Sequence, residues 1–527
     1  WFPKHFKRGR FLKSLENAPD WNISRNRYWG SPVPVWECVC GESFVPGSIK
    51  ELEEASGQKI VDLHRPEIDE VTVNCQKCGK KAHRVPEVLD SWIEAGSASF
   101  GERHFPFAFL KDGNTFSVGD NGLKKELDSF FPPDFIAEYT GQIRAWFYVL
   151  HVIGAALFES PAFKNVGVEG VILGTDGRKM SKNLGNYPDP RELLQKYGGD
   201  GLRLYLMSSP IMHGEDIIIS EEQYRNQVKG MMLILWNVYN FVVTYAKVDS
   251  WKPDDQEQIT SSNELDLWIL TLLNKLISQV TLELDNYDSV TAISFIHNFV
   301  QEFSTWYIRR SRDRVGPMVD DITDKTSFYQ TSYHVLVTLT KLLAPIAPFI
   351  SEEIFRNLTD KESVHLELWP TANEDSINEE IEKQMNYARN IVELAHARRK
   401  EKQIPIKSPL ASLDSVSPIE LSLNIQSLLM SELNVLELHN TVDKNINASN
   451  IFDFNYEQTE QLKKLGKVRD IIRKIQIARK NMATSYSEKI DVTLSDWPEE
   501  YTDEIKKRAL IEKLEKGDTF FVRRHNE

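Results

Sequence analysis

Gly174-Thr175-Asp176-Gly177-Arg178-Lys179-Met180-Ser181-Lys182-Asn183-Leu184-Gly185-Asn186 is a glycine-punctuated segment that carries two lysines three residues apart. The apolar run from Val166 to Leu173 before it predicts a buried strand. After it, Asp189 and Pro190 predict a helix start, with Asp189 as the N-cap. We therefore expect this segment, called the lysine loop below, at the carboxyl end of a strand, where open α/β sheets bind ligands.

Two lysines on such a loop suit the neutralisation of a polyphosphate. A phosphoryl or nucleotidyl transition state spreads negative charge over several oxygens, and positioned ammonium groups stabilise it. The glycines let the backbone approach phosphate closely. A bare Lys-x-x-Lys would more often be an ordinary basic surface turn, so the longer sequence of the loop carries the prediction.

The composition bounds the class of protein. With 527 residues, 41% of them apolar and 27% charged, the chain has an ordinary soluble composition and room for three or more domains. No uninterrupted apolar run reaches membrane-spanning length, so we expect no membrane contact. The net charge of −14 argues against a globally basic nucleic-acid coat but allows local basic patches. The first residue, Trp1, leads us to expect a fragment.

The four cysteines form two closely spaced pairs, Cys38-Val39-Cys40 and Cys75-Gln76-Lys77-Cys78. A glycine follows each pair directly, as in the turns that hold structural zinc. This spacing predicts a tetrahedral Cys₄ site for a structural Zn²⁺, in which His83 could replace one thiolate. Four unligated buried thiols are the less favoured alternative. So few cysteines do not make a disulfide scaffold, which favours a cytoplasmic protein.

Two further segments in the first part of the chain could contact a ligand. Residues 21–30 interleave aromatics with arginines, which suits either phosphate and base contact or a half-buried aromatic strand. After the turn at residues 131–134 we expect a short strand and then a helix from Tyr139 to Leu157. Glu138 and Gln142 lie where the two meet and could present polar groups to a ligand. Alternatively, Glu138 is a solvated acid at a helix start.

The second part of the chain predicts a helical bundle. From Glu221 to about Phe355, apolar residues recur at helical spacing, and Ser261 to Glu264 forms a capping box. Arg309 and Arg310 either meet nucleic-acid phosphate or pair with acids inside the bundle, and the structural role is slightly preferred. After Trp369-Pro370 we expect a long helix and then a small mixed α/β tail.

Several stretches resemble one family, the class I aminoacyl-tRNA synthetases. The lysine loop resembles their Lys-Met-Ser-Lys-Ser signature, with Asn183 in the last place. Ile23-Ser24-Arg25-Asn26-Arg27-Tyr28-Trp29-Gly30 and Trp306-Tyr307-Ile308-Arg309-Arg310-Ser311-Arg312 resemble isoleucyl-tRNA synthetases in particular. The resemblance runs in blocks from the start to about Pro409.

The resemblance implies a fold and its boundaries. Residues 1–215 would be the C-terminal half of a Rossmann-like α/β catalytic domain, with a zinc knuckle at about residues 36–88. Residues 216–375 would be the helical anticodon-binding domain, and residues 376–527 the C-terminal helix and α/β tail.

The resemblance also implies a reaction and its residues. Isoleucine would be activated by ATP with Mg²⁺ and transferred to tRNA(Ile). Lys179 and Lys182 would be catalytic, and Lys179, Met180, Ser181 and Lys182 would bind ATP. Glu138 and Gln142 would bind the substrate, although Tyr139, Gly141 and Ala145 depart from the family pattern around them.

Two alternatives accompany this interpretation. A valyl or leucyl enzyme is the nearer one, although the wording from Arg25 to Gly30 disfavours it. The other is a non-catalytic tRNA-binding protein derived from such an enzyme. The family's His-x-Gly-His signature and editing domain are not visible, so we expect that this chain alone cannot activate isoleucine. Separately, we expect the chain to be monomeric.

Overall fold

The computed structural model describes residues 1–110, 121–253 and 261–525. The chain forms two compact units. The first unit comprises Trp1–Tyr187, Ser209–Ile219 and Asn286–Asp288. The second unit comprises Pro188–Ser208, Ser220–Asp285 and Ser289–Glu527.

Parallel strands form the centre of the first unit. Phe135–Tyr139 pairs with Asn165–Glu169, and Ile172–Leu173 pairs with Ile217–Ile218. The prediction of one continuous strand from Val166 to Leu173 is wrong, because the chain breaks between Glu169 and Ile172. Gly170 lies so close to Glu215 that an added Cβ would stand 1.8 Å from the Glu215 carbonyl oxygen. The break between the two strands thus coincides with a close contact between residues distant in sequence.

Helices pack beside these strands, and the core of this unit is largely aromatic. Trp146–Phe158 packs on Ser91–Gly101, and the approach is close because a Cβ on Gly96 would lie 2.6 Å from Ile153 Cδ1. The predicted helix from Tyr139 to Leu157 is split by Ala145 (φ −126°, ψ −98°) into a 3₁₀ turn, Thr140–Arg144, and the α-helix. The other helices and helical turns of this unit are Lys7–Leu12, Lys13–Glu16, Ile49–Ser56, Glu67–Glu70, Phe107–Phe109, Asn121–Asp128 and Pro210–His213.

Short antiparallel strands flank the two turns that carry the cysteines. Trp36–Glu37 and Lys81–Arg84 are the middle strands of a four-stranded sheet, with Ser43–Phe44 and Thr72–Asn74 at its edges. Trp36 and Val73 are buried in a small separate core that also contains Cys38 and Cys75. A further antiparallel pair joins Ser24–Arg25, which precedes the four-stranded sheet in sequence, to Val88–Leu89, which comes after it.

The second unit begins with the helical bundle that the sequence predicts. Its helices and helical turns are Pro190–Met207, Glu221–Gln227, Val228–Met232, Leu233–Val248, Glu264–Asp285, Ser289–Glu302, Phe303–Ile308, Arg312–Arg314, Ile322–Leu343, Pro348–Leu358, Val364–Leu366, Glu374–Ser376 and Glu379–Glu401. Asp189 caps the first of them by accepting a hydrogen bond from the Arg191 N–H at 2.8 Å, as predicted. The predicted capping box at Ser261 is wrong: Asn263 accepts from the Leu265 N–H, while Ser261 donates to Asp266.

A fully buried carboxylate ties the bundle together. Asp266 has no exposed surface, and the Arg314 guanidinium donates to both of its carboxylate oxygens, at 2.6 and 2.7 Å. The hydroxyl groups of Tyr307 and Ser261 donate to the same carboxylate, each at 2.7 Å. Because every lone-pair direction of a buried charge needs a partner, this network makes an otherwise costly burial tolerable.

From Glu379–Glu401, the last helix named above, to its end, the second unit contains the same αβαββ arrangement twice. The first repeat is Glu379–Glu401, Leu410–Ser417, Leu423–Leu433, Val435–Val442 and Asn450–Phe454. The second repeat is Glu460–Asn481, Ile490–Leu494, Thr502–Ala509, Ile511–Lys516 and Phe521–Arg524. In both three-stranded sheets the first strand is central, parallel to the second and antiparallel to the third.

The repeats also share their unusual local features. A buried arginine near the end of the first helix donates to main-chain carbonyls in each repeat: Arg399 to four of them and Arg479 to three. A left-handed residue precedes the second strand in each, Asn434 (φ 55°) and Leu510 (φ 54°). Its carbonyl accepts from the N–H that begins the first strand, at 3.1 and 3.0 Å. The tail is therefore an internal structural repeat, which the sequence analysis did not detect.

Three helical stretches among the described residues are long and apolar enough, by length and composition alone, to cross a membrane. They are Thr140–Phe158, Glu221–Val248 and Glu264–Asp285. The uninterrupted apolar runs of the sequence predict no such segment, because each of these stretches contains polar residues. In Glu264–Asp285, 56% of the most apolar window is buried inside the protein, so bundle packing accounts for much of its apolar character.

Candidate functional site

The lysine loop leaves the carboxyl end of a parallel strand, as the sequence predicts. After Ile172–Leu173 the chain turns back, and Lys179 forms an antiparallel bridge with Leu173. The Gly174 N–H donates to the Arg178 carbonyl at 2.7 Å, and Gly177 occupies the left-handed region (φ 74°) that the turn requires. The backbone of the loop is thus closed into a tight hairpin before the second lysine.

Asn186 holds the two sides of this loop together. Its side chain is buried, and Nδ2 donates to Asp176 Oδ1 at 2.8 Å and to the Lys179 carbonyl at 3.3 Å. Its Oδ1 accepts from the Ser181 N–H at 3.0 Å. A Cβ on Gly174 would lie 2.4 Å from the Asn186 carbonyl oxygen, so only glycine fits there. The sequence analysis assigned no role to Asn186, because its partners are set by the loop conformation.

The charges of the loop divide into paired and unpaired groups. Arg178 forms an ion pair with Asp176 at 2.7 Å. The Asn186 amide, and then the Arg178 backbone and side chain, lower the pKa of Asp176 to about 2. Lys179 and Lys182 are exposed, and within the described part of the chain neither ammonium group has an ion-pair or hydrogen-bond partner. Met180 and Ser181, between them, are half-buried. The loop therefore presents two unpaired cations from an ordered backbone.

Glu138 lies in a strand of the other parallel pair of the first unit, and Gln142 lies in the turn that follows this strand. Glu138 is exposed near the end of its strand and accepts from the Tyr139 N–H at 2.9 Å. Gln142 Oε1 accepts from the Trp146 N–H at 3.1 Å, so its amide closes the start of the helix. Among the described residues, no hydrogen bond or ion pair joins either side chain to the lysine loop.

A second carboxyl group, which the sequence analysis did not single out, lies near Glu138. Burial, and to a smaller extent the charge of Glu138, raise the pKa of Glu169. Glu169 stands on the strand that pairs with that of Glu138, so only the strand register reveals this proximity.

All four cysteines meet at one place. Their Sγ atoms lie within 4.8 Å of one another, with Cys38 to Cys78 at 3.4 Å and Cys40 to Cys75 at 3.7 Å. Four thiolates around one Zn²⁺ at the usual bond length would stand about 3.8 Å apart. These separations are also too long for disulfide bonds, which measure about 2.05 Å. The side chains present therefore fit a tetrahedral metal ion.

The backbone around the cysteines is already shaped for this role. Gly41 and Gly79, directly after the pairs, are left-handed (φ 83° and 71°) and close matching turns. Backbone N–H groups, first that of Cys78, lower the pKa of Cys75 to about 7 and so favour its thiolate. His83, named above as a replacement ligand, is exposed and lies outside the cluster.

The aromatic and arginine-rich segment at residues 21–30 is held in part by contacts within the protein. Arg25 forms an ion pair with the buried Asp90, which also accepts from Trp21 Nε1 at 2.9 Å. Tyr28 and Trp29 remain exposed. Arg25 and Trp21 line a cleft of about 730 Å³ within the first unit. The structural interpretation thus applies to Arg25, while the exposed rings stay available for contact.

Arg309 and Arg310 have the preferred structural role, but their partner is an acid of the α/β tail and not, as predicted, one inside the bundle. Both pair with the buried Glu432, at 2.8 and 3.1 Å. Arg310 also donates to the Ser431 hydroxyl at 2.7 Å. These contacts attach the first repeat to the helical bundle, so the two guanidinium groups already have anionic partners inside the second unit.

Comparison with known proteins agrees with these features. Residues 1–219 match the family described as tRNA synthetases class I (I, L, M and V), and residues 266–414 match the anticodon-binding domain of tRNA ligase. The isoleucine–tRNA ligase of Protochlamydia amoebophila is 43% identical over 446 residues, which cover 83% of this chain and 41% of that protein. That of Treponema denticola is 40% identical over 458 residues, covering 83% and 40%.

Among solved structures, the chain is similar to the ternary complex of Agrobacterium radiobacter K84 agnB2 LeuRS with tRNA and LeuAMS. That similarity has a TM-score of 0.48 and 22% identity, and it covers 68% of this chain and 43% of the LeuRS chain. The chain spans about 40% of the length of the curated relatives it matches. The chain thus matches two domain families of tRNA synthetases, each over part of its length, and is similar to isoleucine–tRNA ligases over 83% of its length.

Proposed function

We propose that this chain forms the lysine-loop part of the ATP site, together with the tRNA-binding domain, of an isoleucine–tRNA ligase. The observation that carries the proposal is the pair of unpaired ammonium groups, Lys179 and Lys182, on an ordered loop at the carboxyl end of a strand. The names of the relatives support isoleucine as the amino acid and tRNA(Ile) as the acceptor.

The proposed chemistry requires positioning more than acid–base catalysis. The isoleucine carboxylate is ionised at neutral pH and needs no general base to attack the ATP α-phosphate. Lys179 and Lys182 would stabilise the charge on the phosphate oxygens, and Met180 and Ser181 would place the backbone against the nucleotide. Mg²⁺ enters with ATP as the substrate's counterion and supplies further charge neutralisation.

Glu138 and Gln142 are the proposed contacts to the amino-acid part of the substrate. Glu138 is an exposed carboxylate at a strand end, with Glu169 nearby, and an anionic surface suits the ammonium group of an amino acid. Because Oε1 of Gln142 accepts from the Trp146 N–H, its Nε2 amide group remains as the donor for a ligand. We therefore assign it an orienting contact.

We also propose that the four cysteines bind one structural Zn²⁺. Cys38, Cys40, Cys75 and Cys78 supply four thiolates at tetrahedral spacing, which leaves no coordination position for a substrate. The ion would link the two turns of a small sheet whose own core is slight. Its role would be to hold that sheet in place rather than to take part in catalysis.

The first prediction concerns MgATP binding. Lys182→Ala should weaken MgATP binding by about tenfold, because one well-placed charge contact to phosphate contributes about 1.4 kcal/mol or more. Isothermal titration calorimetry of this chain with MgATP measures the effect. Lys164→Ala is the matched control, since Lys164 is an exposed lysine of the same unit that pairs with Asp134 at 2.7 Å. An equal loss in both variants would show that general charge, not the loop, holds the nucleotide.

A further inference from the structure

We propose that Asn186 is a positioning residue that, with Asp176, fixes the backbone from which Lys179 and Lys182 reach the nucleotide. The inference rests on the proposed nucleotide-binding function of the loop and adds to it a device that sets the lysine geometry. It starts from one buried amide whose donor and acceptor ends are both used inside the loop.

The hydrogen bonds of Asn186 fall on either side of Met180. Nδ2 donates to the carbonyl of Lys179, and Oδ1 accepts from the N–H of Ser181. Lys179 is held from its other side by the bridge to Leu173. The Ser181 carbonyl accepts from the N–H groups of Leu184 and Gly185, each at 3.1 Å, which closes the turn that contains Lys182. The main chain next to both lysines is therefore fixed, while their side chains extend into solvent.

Asp176 completes the arrangement from the opposite side of the loop. Its Oδ1 accepts from Asn186 Nδ2 at 2.8 Å and from the Arg178 N–H at 3.0 Å. Its Oδ2 accepts from Arg178 Nε at 2.8 Å. We call the hydrogen-bonded arrangement of Asn186 and Asp176 the clasp. The Asp176 carboxylate both anchors the clasp and neutralises Arg178, so the two lysines are the unpaired charges of the loop. An aspartate at position 186 could not replace the amide, because it would face the Asp176 carboxylate without a hydrogen to donate.

Pre-organisation gives the clasp its functional consequence. Two ammonium groups on a disordered loop would have to be ordered when phosphate binds, and that ordering would weaken the affinity. A loop already held in shape avoids this loss. Because the clasp touches only the loop, it should matter for the phosphate part of the ligand and not for the nucleoside part.

The test compares MgATP with inorganic tripolyphosphate and adenosine as probes, using calorimetry on the 527-residue chain. Asn186→Ala should weaken MgATP and tripolyphosphate binding by about tenfold, the loss expected from one pre-organising clasp, and leave any adenosine binding unchanged. Asn165→Ala is the matched control, since Asn165 also donates its amide to a main-chain carbonyl, that of Asp134 at 3.0 Å. In the Lys179→Ala/Lys182→Ala background, Asn186→Ala should cause no further loss, because Asn186 acts through the lysines.

A reciprocal exchange keeps the inference testable if Asn186→Ala does not fold. Asn186→Asp should lose phosphate affinity, and the double variant D176N/N186D should regain part of it, since an amide and a carboxylate again face each other. Wild-type affinity in Asn186→Ala, or an equal loss in the lysine-free background, would overturn the clasp while the lysine result stands. If Lys182→Ala itself has no effect on MgATP, the proposed function fails instead.

Discussion

The purified chain is expected to contain one zinc ion per molecule, and the Cys75→Ser variant is expected to contain none. The four Sγ atoms already stand within 4.8 Å of one another, so one ion can bind without rearrangement. Structural zinc sites of this kind contribute about 10–16 kcal/mol of apparent binding energy, which a serine hydroxyl does not replace. Metal analysis by mass spectrometry gives the ratio directly.

The loss should remain local to the cysteine sheet. That sheet has a small core of its own around Trp36 and Val73, so metal removal should expose its amides to hydrogen exchange at residues 36–44 and 72–84. His83→Ala is the matched control and should keep its zinc, because His83 lies outside the cluster. Stripping wild-type protein with a chelator repeats the experiment without a variant. Two results would contradict the assignment: wild-type protein that contains no zinc although it was produced in zinc-containing medium, or a Cys75→Ser variant that contains one zinc ion per molecule.

The second large effect is expected in the helical bundle, where Asp266→Ala should lower the free energy of unfolding by about 3–5 kcal/mol. The carboxylate is fully buried and receives hydrogen bonds from Arg314, Tyr307 and Ser261. Its removal leaves the Arg314 guanidinium, itself only 9% exposed, with Asp324 as its remaining acid. Because Asp324 compensates only part of this buried charge, and the Tyr307 hydroxyl also loses its acceptor, the loss is large.

Urea denaturation followed by far-ultraviolet circular dichroism measures this loss in the second unit. Asp360→Ala serves as the control, because Asp360 is an exposed acid of the same unit and should change stability by less than about 0.5 kcal/mol. Asp266→Asn keeps the shape but not the charge and should lie between the two. If Asp266→Ala unfolds at the same urea concentration as the control, the network has no stabilising role.

Local signals in the sequence predicted much of the site. The cysteine spacing led to the four-cysteine cluster, and the apolar run before Gly174 placed the lysine loop after a strand. The Asp189 N-cap and the helical bundle were also correct. These features depend on residues a few positions apart, whose geometry the chain itself fixes.

The features that escaped prediction depend on partners distant in sequence. The strand break at Gly170 coincides with its contact with Glu215, and the proximity of Glu138 to Glu169 follows from strand register. The sequence around Asn186 identifies the lysine loop but not the partners of the Asn186 amide, which follow from how the loop folds around it. The two tail repeats share backbone conformations rather than residue types. The left-handed residue before the second strand, for example, is Asn434 in one repeat and Leu510 in the other, so the sequence does not reveal the repeat.

The proposal that this chain binds the tRNA of an isoleucine–tRNA ligase is tested most directly by measuring which tRNA it prefers. Fluorescence anisotropy of labelled tRNA(Ile), compared with the same transcript carrying a different anticodon, isolates the contribution of the anticodon. We predict at least about tenfold tighter binding of the isoleucine tRNA, equivalent to about 1.4 kcal/mol. Equal affinity for the two transcripts at physiological salt would contradict the account.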